Sequence, residues 1–145
     1  MENFERFTSL IAEINHSIRK LKTEIMSEFD LRSTHLYCLY YLFRDGSLTA
    51  KELCDMCSED KALMSRTIKQ LEERGYVERS SKKRYRAALT LTDEGRAVAA
   101  RATEYANLYF LSTREGISDA DREVLYRSLS IINDRLSELC DKYDE

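Results

Sequence analysis

From Asn3 to about Ser27 the apolar residues Phe4, Phe7, Leu10, Ile11, Ile14, Ile18, Leu21 and Ile25 recur at intervals of three and four. That spacing predicts a helix of about seven turns with one continuous apolar face. A helix of this kind needs a surface to cover its stripe, and a second subunit can supply one. Ser33 is a good N-cap for a second helix, which runs through HLYCLYYLF to Arg44 and stops at the Asp45-Gly46 turn. Its density of apolar and aromatic residues predicts burial on most sides. Thr49 followed by Glu52 is a capping-box pattern, so a short third helix spans roughly Ala50 to Met56. The polar stretch Cys57 to Asp60 then turns the chain. A fourth helix from about Lys61 to Arg74 points Met64, Ile68 and Leu71 inward, and Gly75 supplies the left-handed residue that ends it. Two helices joined by a short turn have helix-turn-helix spacing.

The period then changes. Tyr76 to Arg79 and Ala87 to Leu91 read as two short strands joined by the basic loop SSKKRYR, a hairpin with a charged tip. Thr92 caps a long fifth helix with Val98, Ala102, Tyr105, Ala106, Tyr109 and Phe110 at helical spacing, ended by Gly116. Ser118 with Asp121 opens a last helix whose stripe is Val124, Leu125, Ser128, Ile132, Leu136 and Leu139. The fold class is therefore mainly α, with one small β-hairpin. A chain of 145 residues is the size of one domain, and no proline and only four glycines interrupt its helices.

Charge sharpens the picture. The chain carries −3 overall, yet between Lys61 and Arg86 nine basic residues face three acidic ones, a local +6 that leaves −9 elsewhere. Positive charge concentrated on one helix-plus-hairpin unit is the electrostatic footprint of a nucleic-acid partner. No run approaches the ~20 apolar residues of a membrane span, and the N-terminus lacks a signal-peptide pattern, so a cytoplasmic location without membrane association is expected. Cys38, Cys54, Cys57 and Cys140 are too few and too scattered for a disulfide framework.

The run LTAKELCDMCSEDKALMSRTIKQLEERGYVERSSKKRYRAALTLTDEGR, from Leu48 to Arg96, resembles the MarR family of multiple antibiotic resistance regulators. Its most specific pieces are Leu71-Glu72-x-x-Gly75-Tyr76-Val77 and Leu91-Thr92-x-x-Gly95-Arg96. Two helices before the run and two after it match the family's layout over essentially the whole chain. The resemblance implies a winged helix-turn-helix lobe at residues 33–92, with helices at 1–30 and 93–145 forming a dimerisation region. It further implies a homodimer whose two recognition helices lie about 34 Å apart, entering successive major grooves of a pseudopalindromic double-stranded operator while the wings reach minor grooves. Members commonly repress neighbouring genes and release DNA when a small-molecule effector or an oxidant binds. Many members carry Asp-x-Arg near the wing tip. Here the aligned positions read Lys83-Arg84-Tyr85, so the groove contact falls to Arg84 or Arg86.

The outer side of the fourth helix offers Lys61, Ala62, Ser65, Arg66 and Lys69. Arg66 suits the O6 and N7 acceptors of guanine, Ser65 a base or a phosphate, and Lys61 or Lys69 phosphates. The bland alternative, a solvated helix face, would not predict a basic hairpin directly after it. Ser80, Ser81, Lys82, Lys83, Arg84, Tyr85 and Arg86 supply further phosphate donors, so affinity is expected to fall steeply with salt. Aromatics at helical spacing usually fill a core, and core packing is the first reading of Tyr37 and Tyr41 of the second helix; with His16 and Arg19 of the first they form a candidate effector pocket as the second. The Cys54-x-x-Cys57 pair has no second pair and the two histidines lie in distant segments, which argues for small core side chains and against a metal site. Oxidant sensing through Cys38, with His35 one turn earlier, is an alternative mode of regulation, and a winged-helix adaptor that binds protein is another. No convergent nucleophile, base and stabiliser are found, so neither a catalytic set nor a cofactor is expected.

Overall fold

The computed structural model describes residues 1–81 and 87–143. The chain divides into two compact units, Met1–Tyr109 and Phe110–Glu145. The first holds α1 (Glu2–Ser27), α2 (Thr34–Asp45), β1 (Ser47–Thr49), α3 (Ala50–Cys57), α4 (Lys61–Glu73), β2 (Val77–Arg79), β3 (Ala88–Leu91) and most of α5 (Asp93–Thr113); the second holds α6 (Asp119–Asp141). The strands form one antiparallel sheet in the order β1-β3-β2, with Leu48 opposite Leu89 and Val77 opposite Leu91.

The core of the first unit is the convergence of the inward stripes. Leu39 and Leu42 of α2, Leu53 of α3, Ile68 and Leu71 of α4 and Leu89 of β3 are fully buried together, closed by Ile25 and Met26 of α1 and Ala99 and Ala102 of α5. Each aliphatic side chain so removed from water contributes about 1.5–3 kcal/mol. Only the last turn of α1 takes part. Along the rest of its stripe Phe4 is 71% exposed and Ile14 45% exposed, because nothing within the unit covers them. In the second unit α6 has no buried residue, and Val124, Leu125, Leu136 and Leu139 of its stripe all stand open.

Three local features depart from the sequence expectation. Ser33 sits at the start of α2 but caps nothing: its backbone is already helical (φ −51°, ψ −32°), whereas a capping hydroxyl needs an extended residue behind it. The free amide of Arg32 donates instead to Nδ1 of His35 at 2.9 Å. A third strand, β1, stands where only a cap was expected, since three residues are too few to show alternation and its stability comes from pairing with β3. Thr67 is buried beside Met64, Ile68 and Leu71, which widens the inward face of α4.

His35 is itself buried, and burial lowers its pKa below the ordinary histidine value of 6.5. As pH falls through that value the unfolded chain takes up a proton that the folded chain resists, so stability drops. Urea unfolding is expected to show a lower midpoint at about pH 5 than at about pH 7. His35→Gln should flatten that difference. An equally steep fall in the variant would show that other groups govern it.

Candidate nucleic-acid interface

The α4 helix is held at both ends. Thr49 and Glu52 close a reciprocal capping box on α3, with the Thr49 amide donating to the Glu52 carboxylate at 2.7 Å. That backbone donor holds the Glu52 carboxyl below its usual range. Ser58 then takes a left-handed conformation (φ +52°), and the Asp60 carboxylate accepts from the Leu63 amide at 2.8 Å to start α4. At the far end Gly75 at φ +73° lets the Tyr76 amide reach back to the Leu71 carbonyl at 2.9 Å, a conformation a side chain would strain.

With its inner face fixed by Met64, Thr67, Ile68 and Leu71, α4 turns Lys61, Ala62, Ser65, Arg66 and Lys69 to solvent, and all five are exposed. The side chain of Lys69 stands 3.7 Å from Glu73, an exposed pair of the kind worth a few tenths of a kcal/mol, which leaves it available to another anion. Two basic residues counted in the same segment are committed elsewhere. Arg79 of β2 makes a two-pronged bond with Glu72 of α4 at 2.5 and 3.2 Å, bracing the hairpin against the helix. Arg74 bonds Asp30, the left-handed residue after α1, and so ties the end of α4 to the end of α1. Neither role could be read from the sequence, because each partner is distant along the chain or on another element. The Asp60 cap, by contrast, had a legible signal in its residue type and its place before α4.

Strands β2 and β3 bring the hairpin alongside α4, and the Ser80 amide bonds the Ala88 carbonyl at 2.8 Å. Ser81 is exposed at its rim. The expected wing donors Lys82, Lys83, Arg84, Tyr85 and Arg86 lie outside the described residues.

These features meet known proteins at one point. Residues 29–86 match the sequence model of the MarR family. Over those residues the winged lobe is similar to the MarR family. A curated relative, an uncharacterised helix-turn-helix transcriptional regulator of Bacillus subtilis, is 38% identical over 73 residues. That alignment takes in 48% of this chain, which spans about half the length of that relative (53%). Among solved structures, a MarR family regulator from Neisseria meningitidis is similar over 98% of this chain and 99% of its own, with a TM-score of 0.81 at 23% identity. A putative MarR regulator from Listeria monocytogenes, solved with a 26mer DNA, is similar over 90% and 89% at a TM-score of 0.80 and 17% identity. The MarR-type winged helix-turn-helix fold thus covers nearly the whole chain.

Outside the α4 face of the winged lobe, the expected effector residues are only partly brought together. The Tyr37 and Tyr41 rings lie 6.2 Å apart, and Lys22, which the sequence did not single out, sits 4.4 Å over the Tyr37 ring. Burial lowers the Lys22 pKa and raises that of Tyr37. His16 and Arg19 are exposed on α1, and no hydrogen bond or ring contact among the described residues joins them to these tyrosines. Cys38, Cys54 and Cys57 fall on the core side, whereas Cys140 is exposed. Cys38 is completely buried, with its thiol pushed far up by burial, and Cys57 is half-buried and raised to about 11. A thiol kept protonated and sealed from solvent lacks the electropositive, accessible setting of an oxidant sensor. Among the described residues no helix is long and apolar enough to cross a membrane, and no cluster of three metal-ligating side chains occurs.

Proposed function

We propose that this chain is a homodimeric, sequence-specific DNA-binding transcriptional regulator of double-stranded operators, in which α4 enters the major groove and the hairpin after it reaches the neighbouring backbone. The observation that carries this reading is the outer side of α4: its core-facing residues lock the helix in one rotation, and that rotation presents Lys61, Ala62, Ser65, Arg66 and Lys69 together. Arg66 reads a guanine edge. Ser65 and the lysines hold phosphates, joined by Ser81 and, from their sequence, Lys82, Lys83, Arg84, Tyr85 and Arg86. The open apolar faces of α1 and α6 support a second copy as their cover, with residues 1–30 and 93–145 as the dimerisation region and 33–92 as the DNA-binding lobe. Repression released by a small effector fits the Tyr37, Tyr41 and Lys22 cluster, where an aromatic surface adjoins a cation. A DNA partner places the protein in the cytoplasm.

Operator selection from a random duplex library, followed by mobility shifts at two salt concentrations, tests the reading. Arg66→Ala should cost about 1–3 kcal/mol on the selected site and relax preference at one base pair, whereas Lys69→Ala should weaken selected and random DNA alike. Failure to bind any duplex at low salt would overturn it in favour of a protein-binding adaptor.

A further inference from the structure

Glu72 is one of the few anions in the basic segment and Arg79 one of its cations, yet the fold sets the two against each other. Glu72 follows Ser65 by seven residues on α4, which is two turns and within about 20° of the same direction, and it follows Lys69 by three. It therefore borders the stripe that the outer side of α4 presents. A bare carboxylate there would repel a phosphate backbone. Arg79, the last residue of β2, covers it with two guanidinium nitrogens, one on each carboxylate oxygen, at 2.5 and 3.2 Å. The two side chains are 21% and 29% exposed, against 70% and 62% for Lys69 and Glu73 on the same helix, so water screens this pair less than an ordinary surface pair.

The place of the pair on the hairpin matters as much as its charge. Val77, Leu89 and Leu91 hold the base of the hairpin in the core, and Arg79 stands opposite Leu89 at the outer end of β2. The bond to Glu72 fastens that strand end to α4 where the core no longer reaches it. Two parallel prongs also fix the plane of the guanidinium, which a single charge contact would leave free to turn. We infer that Glu72 and Arg79 are a positioning pair for specific DNA binding, a role that rests on the DNA-binding reading above: they hold the hairpin at one angle to α4, so that helix and hairpin engage one duplex together. Arg79 acts through the hairpin and not as a phosphate contact of its own.

Charge alone and positioning predict opposite results for Glu72→Gln. Removing an anion from a DNA-binding segment should tighten binding to every duplex if only charge counts. If the pair positions the hairpin, Glu72→Gln should instead weaken binding to the selected duplex about fivefold, while random DNA is bound at least as well as by the parent. Glu73→Gln, the same charge change one residue on, should show no such loss of preference. Arg79→Gln should lose preference too, and the double variant should lose no more of it than Arg79→Gln does. The parent's own binding to the selected duplex reports on the DNA-binding reading, whereas a measurement without DNA reports on the pair by itself. Hydrogen exchange at the Ser80 amide, bonded to the Ala88 carbonyl at the end of the hairpin ladder, should quicken in Glu72→Gln and not in Glu73→Gln. Tighter or unchanged binding of Glu72→Gln to the selected duplex overturns the assignment. Equal weakening on both duplexes, additive losses in the double variant, or unaltered Ser80 exchange does the same.

Discussion

Gly95→Ala is expected to destabilise the fold by about 3 kcal/mol or more, although a glycine-to-alanine change inside a helix normally stabilises by up to about 1 kcal/mol. The reversal comes from how α5 docks. Thr92 donates its hydroxyl to the Gly75 carbonyl at 2.6 Å and its amide to the Tyr76 carbonyl at 3.1 Å, and its own oxygen caps the Gly95 amide at 3.0 Å. These bonds draw the first turn of α5 so close to the chain after α4 that a Cβ on Gly95 would overlap the backbone carbonyl of Tyr76. Backbone on one side and a capped helix turn on the other leave nothing flexible to give way. Urea unfolding at neutral pH measures the loss, and an unchanged midpoint would mean that α5 docks more loosely than this geometry requires.

Ile14→Glu should convert the proposed dimer to monomer. Ile14 is 45% exposed in the single chain, so the substitution costs the isolated fold little, but under a partner subunit it would bury an unpaired carboxylate. A penalty of about 4 kcal/mol corresponds to roughly a thousandfold weaker association. Sedimentation should then report a particle near the chain mass of 17.0 kDa instead of twice that, with an unaltered helical spectrum. Specific DNA binding should fall with it, since two half-sites would no longer be held together. A variant that remains dimeric would remove α1 from the proposed interface.

Much of the lobe was legible because its signals are local. The Thr49 and Glu52 box, the left-handed Gly75, the Thr92 cap and the inward set Met64, Ile68 and Leu71 each depend on residues within about one turn, where spacing and residue type suffice. The outer face of α4 followed from the same periodicity, since fixing which residues point inward fixes which do not. Ser33 misled for a related reason: its type suits a cap, but the neighbouring turn through Asp30 and Leu31 had already set its backbone helical.

What the sequence determined by itself, then, is the succession of helices, the basic α4 and hairpin segment, and the apolar stripes of α1 and α6, all carried by periodicity and charge along the chain. Tertiary structure alone decided which cations are committed and which are available. Arg79 pairs with Glu72 and Arg74 with Asp30, while Arg66 stays exposed on the outer side of α4. Ion pairing and burial depend on distances between elements far apart in the chain, and linear spacing carries no record of those distances.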